Sequence, residues 1–262
     1  MIHWMYGAWA TFLFEVKRAM TLQRMSVSLV LIAFPPAISL IILSIRTRIP
    51  FDVEIFITLS VSIVCLLSLL LWATPNVDSE LEGKSWSFVA SRPGGRISNF
   101  LGKYLVSVFF SGLVSVSALS ISVLMAARFL GMRNLVDFWI TMIQIFVIAS
   151  LVYGTVFSLI GTIFVRRAMV FGAGYVVIIE VIGAFLPVVL SRFTARFHLQ
   201  SLGIAWSNPK LLPIPARDVE MYYTMQISPP FHLTCLIVLA LTCLIAGCLV
   251  IVNREYVTSD QA

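Results

Sequence analysis

Long uncharged apolar runs alternate with short polar clusters along these 262 residues. A bilayer core takes roughly 20 apolar residues per helix, and six windows reach that length: 25–46, 54–74, 101–127, 138–165, 168–191 and 233–252. Their interiors carry no charge apart from Glu180 in the fifth, with Arg46 and Lys103 at window ends. The pattern predicts an all-α, polytopic membrane protein of six transmembrane helices, folded as one domain over 1–262. Transmembrane strands would show short segments of alternating hydrophobicity, which continuous runs of this length exclude.

Residues 9–24 follow a different period. At 100° per residue, Trp9, Phe12, Leu13, Val16, Ala19 and Met20 share one face, with Thr11, Glu15, Lys17, Arg18, Thr21 and Arg24 opposite. A basic amphipathic helix running into the first span reads as an interfacial helix lying in the headgroups; a frayed extension of that span fits the same residues. Lys17 and Arg18 follow the first apolar stretch instead of preceding it, which argues against a cleaved signal peptide.

Composition agrees with lipid as the main solvent. Hydrophobic residues make up 60% and charged ones 11%, a balance that would leave large apolar patches exposed in water. The net charge of +6 is not a nucleic-acid signal, because the basic residues flank apolar runs and do not form one face. Membrane lipids are the expected counterpart, and no nucleic acid. With the N-terminus cytoplasmic, ten of the 18 Lys and Arg residues fall inside and eight outside, a weak bias toward N- and C-termini in the cytoplasm. Cys65, Cys235, Cys243 and Cys248 all sit in apolar segments without a CxxC pair, so they read as packing residues and not as a disulfide framework or a zinc site.

Two segments are too polar to span. In this topology 75–100 is cytoplasmic and 192–232 is external, the latter broken by Pro209, Pro213, Pro215, Pro229 and Pro230. In the first, Ser79 and Glu82 have capping-box spacing, predicting a short helix from about Glu80 to Ala90. It ends at Arg92-Pro93, because the residue before proline avoids helical geometry. Exposed Trp86 and Phe88 on that helix suit insertion into a partner's groove, or equally burial in the headgroups.

The run Glu80-Leu81-Glu82-Gly83-Lys84-Ser85-Trp86-Ser87-Phe88-Val89-Ala90-Ser91-Arg92-Pro93, followed by Arg96 and Leu101-Gly102-Lys103-Tyr104-Leu105, resembles the coupling loop of permease subunits of type-2 ATP-binding-cassette (ABC) exporters. Gly94-Gly95 between the proline and Arg96 is a local variation on that pattern. The likeness extends along nearly the whole chain: an amphipathic N-terminal elbow, six spans, a short first external turn and a long external segment before the last span. It implies that Glu80, Glu82, Gly83, Trp86, Phe88, Arg92, Pro93 and Arg96 couple to a cytoplasmic ABC ATPase, present in two copies. It further implies a second permease copy or homologue, a prokaryotic inner-membrane location, and ATP bound by the partner and not by this chain. Family members place short external helices before the last span as a gate, which would fall on Phe197 and Trp206. The same region also fits a surface anchor for the last two spans, and the same loop could serve a non-transporting membrane scaffold.

Within the spans, Glu180 costs at least a few kcal/mol if ionised and unpaired in lipid. It is expected on the pathway or a subunit interface, or hydrogen-bonded to a neighbouring Ser, Thr or Gln144. Pro35-Pro36 and Pro187 should kink or interrupt their helices. Ser107, Ser111 and Ser115 give the third span a small-residue face for close helix contact. The sequence contains no HExxH, GxSxG or GxxxxGK[ST], so no catalytic, metal or cofactor-binding residues are expected in the chain itself.

Overall fold

A computed structural model describes residues 2–44, 53–83, 85–130, 135–181, 192, 194–206 and 228–256. Among them the secondary structure is entirely helical: α1 Ile2–Ala19, α2 Leu22–Ser44, α3 Val53–Ala73, α4 Asp78–Glu82, α5 Trp86–Ser91, α6 Gly95–Leu130, α7 Leu135–Ile163, α8 Ala168–Tyr175, α9 Ala195–Trp206 and α10 Pro229–Asn253. A 3₁₀ turn, Thr74–Asn76, joins α3 to α4, a second, Val165–Arg167, precedes α8, and a π-helical stretch, Val176–Val181, continues α8. Four of these helices, α2, α6, α7 and α10, are long and apolar enough to cross a membrane. The window expected over 54–74 is helical along α3 but is not among those four, and the one over 168–191 is only partly covered: 182–191, including Pro187, lies outside the described residues, as do Arg46 and Arg48.

The core is built from the inward faces of α3, α6, α7, α9 and α10. Val61, Leu69, Leu119, Phe138, Phe157, Leu202 and Leu236 are among its fully buried members. Ser107, Ser111 and Ser115 are buried along α6. Ser111 meets Ser68 of α3 hydroxyl to hydroxyl at 2.7 Å and donates to the Cys65 carbonyl at 3.3 Å, so the small-residue face both admits the neighbouring helix and hydrogen-bonds it. Helix α2 runs through Pro35-Pro36 without ending, while the Ser39 hydroxyl donates to the Pro35 carbonyl at 2.8 Å.

Helix α1 begins earlier and ends sooner than the 9–24 pattern suggests, and its apolar face divides: Phe12, Val16 and Ala19 pack against Trp72, Val106 and Phe110. Trp9, Leu13, Phe14 and Met20 point outward, whereas Ala8, Glu15 and Ala19 are buried. Gly102 of α6 makes this possible: a Cβ there would stand 2.6 Å from the Thr11 Cβ and 2.9 Å from the Ala8 carbonyl oxygen. Glu15, expected on the solvent face, is therefore directed into the protein.

The loop between the second and third windows also folds differently from expectation. It is not one helix over 80–90 but two, α4 and α5, broken at Gly83. The Ser79–Glu82 capping box does not form: the helix starts two residues earlier, Val77 occupies the cap without a side-chain bond, and the Ser79 hydroxyl points back to the Asn76 carbonyl at 3.4 Å. The end is as the proline requires, with Arg92 extended at φ −82°, ψ 135°. Gly94 then takes φ +72°, a left-handed turn that a side chain would oppose, and α6 starts at once.

Candidate functional site

The polar loop residues do not spread over a surface; they close around Lys103. The three ammonium hydrogens of this residue, whose side chain is buried, have three acceptors: Glu80 Oε1 at 2.6 Å, the Asn76 carbonyl at 2.7 Å and Ser79 Oγ at 2.9 Å. Glu80, 4% exposed, accepts from Arg18 Nη1 at 3.1 Å through the same oxygen, and its Oε2 accepts from the Ser85 hydroxyl. Arg18 also reaches Glu15 Oε1 at 3.3 Å, and Glu15 Oε1 lies 4.0 Å from Lys103 Nζ. Two acids and two bases, from α1, α4 and α6, thus neutralise one another. Burial by itself pushes the Glu80 carboxyl up, but the Lys103 charge and hydrogen bond, the Ser85 hydroxyl and the Arg18 charge together outweigh it and hold the group below the ordinary carboxylate value.

A second anchor lies behind α5. Trp86, expected to be exposed, is 5% exposed and packs with Val77, Phe100, Val165 and Ile251. Its ring meets Tyr256 edge-on at 5.0 Å, and the Arg96 guanidinium lies 6.0 Å from its centroid while donating to the Val252 carbonyl at 2.9 Å. The reason for the burial is the end of α10 and the chain just beyond it, which bring Ile251 and Tyr256 to the loop. Phe88 does remain outside, at 73% exposed, and Glu82, Gly83, Ser87, Arg92 and Pro93 are exposed with it. The eight residues expected to couple therefore divide: Glu80 and Trp86 face inward, Arg96 is half-buried, and five remain outside.

The chain matches no protein-family model, no curated protein and no solved structure.

Glu180 is 3% exposed, and its partners are not those expected. Gln144 is exposed; the Tyr175 hydroxyl instead donates to Glu180 Oε1 at 3.4 Å, the Tyr153 hydroxyl faces the same carboxylate, and Arg196 of α9 donates to the Glu180 carbonyl at 3.0 Å. Helix α9, expected at the outer interface, buries Ala195, Leu199 and Leu202 in the main core. Phe197 is half-buried, its ring edge-on to His198 and His232, and Trp206 is exposed at the end of α9. Neither the approach of His198 Nδ1 to His232 Nδ1 at 2.9 Å nor the Lys103 cluster has a short-range signature in the sequence. The only hint of the second was a lysine at a span end.

Among the described residues no three His, Cys, Asp or Glu side chains gather as a metal site.

Proposed function

We propose that this chain is the membrane-spanning permease subunit of an ABC exporter, with six spans and cytoplasmic termini, driven by a separate pair of ATPase subunits. Two copies, or one copy and a homologue, form the pathway. The observation that carries this reading is the way the α4–α5 lobe is fastened: Glu80 is tied to α1 and α6, and Trp86 to α6 and the tail of α10, while Phe88 stands free at the rim. A partner gripping Phe88, Glu82 and Arg92 would push on a lobe that cannot move without its helices, which is what transmission of a motor's stroke into the spans needs. The likeness of the 80–105 run to the exporter coupling loop supplies the identity of the motor. Glu180, with Phe197 and Trp206 of α9, is then assigned to the pathway and its outer gate.

The buried position of Trp86 changes how this is tested. Truncating Trp86 would disturb the fold, so docking is probed at Phe88. With the full chain purified from its native membrane, an ABC-type ATPase should accompany it, and Phe88→Glu should lower the amount retained by about tenfold or more, the scale of losing an aromatic anchor. Export should fall in parallel. Absence of an ATPase, or unchanged retention in Phe88→Glu, overturns the reading; retention of the ATPase with no transport would leave the chain a scaffold.

A further inference from the structure

On the same end of the bundle as the Trp86 core, the end of α7, the turn into α8 and the tail of α10 line an open hollow of about 480 Å³, within the roughly 300–1,000 Å³ typical of small-molecule sites. Its charged lining is Arg166, Arg167 and Arg254 against a single acid, Glu255. Arg254 is held in place, donating to the Thr162 carbonyl at 3.4 Å and to that of Ile163, with its guanidinium 5.4 Å from the Tyr256 ring centroid. Arg166 and Arg167 are exposed on the 3₁₀ turn. The field of Arg166 reaches Asp78 of α4, whose carboxyl burial and Glu82 push up while Arg166 pulls it back.

The rest of the wall is apolar. Phe164 and Phe171 stack with their centroids 3.8 Å apart, and the outward face continues along α8 and the π-helical stretch through Met169, Val170, Val177 and Ile178, all exposed. A basic hollow that opens onto a strip of exposed apolar side chains, in a chain with membrane-length helices, has the layering of a phospholipid: charge at one end and hydrocarbon running from it.

We propose that this cavity binds the phosphodiester headgroup of an anionic phospholipid, with the acyl chains lying along the exposed face of α8. The guanidinium groups supply paired donors suited to phosphate oxygens, and the three-to-one charge balance selects against zwitterionic lipids. A free phosphate would find the same arginines but nothing to gain from the apolar strip. The proposal needs a membrane and no motor, so it stands or falls apart from the exporter reading.

The full chain, purified in mild detergent and equilibrated with equal phosphatidylglycerol and phosphatidylcholine, can be read by native mass spectrometry for retained lipid. Phosphatidylglycerol should be enriched, and Arg166→Gln with Arg167→Gln should cut its retention about thirtyfold, given about 1 kcal/mol per basic residue at an anionic surface. Glu255→Gln, which removes the opposing acid from an exposed position, should raise retention about twofold or more. Millimolar inorganic phosphate should not displace the lipid. Equal retention of the two lipids, no loss in the double variant, no gain in Glu255→Gln, or displacement by inorganic phosphate would each overturn the proposal.

Discussion

Glu80 and Glu180 are two carboxylates buried almost equally, at 4% and 3% exposed, yet the protein treats them in opposite ways. Glu80 meets full positive charges, Lys103 at 2.6 Å and Arg18 at 3.1 Å. Glu180 meets tyrosine hydroxyls, and the nearby Arg196 donates to its backbone carbonyl instead of its side chain. The first is an ionic rivet whose members cannot be removed singly without stranding a charge. The second is a hydrogen-bonded acceptor whose side-chain donors are neutral hydroxyls, with the Arg196 charge acting on it from nearby.

The largest loss is expected at Lys103. Lys103→Met leaves Glu80 and Glu15 buried against Arg18 alone, and loss of one member of a buried pair costs about 3–5 kcal/mol. Thermal unfolding in detergent should show a correspondingly large drop, and Lys103→Met combined with Glu80→Gln should recover much of it, since the stranded charge is then gone. Trp86→Ala should be of similar size, about 3–5 kcal/mol for an aromatic removed from a packed core, whereas Phe88→Ala should stay within about 0.5 kcal/mol as an exposed substitution.

The two glutamates themselves come next. Glu80→Gln keeps the shape but leaves Lys103 short of its nearest counter-charge, and should destabilise by about 2 kcal/mol or more. Glu180→Gln offers its amide oxygen to the same tyrosine donors and should cost about 1 kcal/mol. Equal effects from the two would erase the distinction drawn between them.

A smaller, sharper test uses pH. The Glu80 carboxyl is held below its ordinary value, so its contribution is fully present above the usual carboxylate range and is lost as pH falls through the lower, folded value. The melting-temperature gap between the wild type and Glu80→Gln should therefore persist from pH 7 to about 5 and close only on acidification below the ordinary value of about 4.3.

Glu180 was legible in the sequence because a lone acid interrupts a long apolar run, and the cost of a charge in lipid marks it without any knowledge of the fold. Its partners were not legible, since Tyr153 and Arg196 arrive from α7 and α9, and only packing decides which polar groups meet it. For Glu80 the position was reversed: a polar loop gives no sign that one acid of three, Asp78, Glu80 and Glu82, turns inward. What decides it is Lys103 on α6, which the sequence marks only as a charge near a span end. Trp86 was misplaced for a related reason. Its burial depends on Ile251 and Tyr256 at the far end of the chain, and local periodicity carries no information about such a return. Helix positions along α6, α7 and α10 were readable because apolar length alone fixes them; the lobe was not, because its two short helices owe their shape to tertiary contacts rather than to the capping pattern in their own residues.

The notch at Gly102, which lets Thr11 and Ala8 approach α6, has a mechanical corollary. It immediately precedes Lys103 in the chain, so the point where the N-terminal helix is keyed in and the point where the ionic rivet is set are neighbours on one turn. The first helix is in this respect a strut and not a float: sliding it along α6 would first drive Thr11 into the backbone and then draw Glu15 and Arg18 away from Lys103.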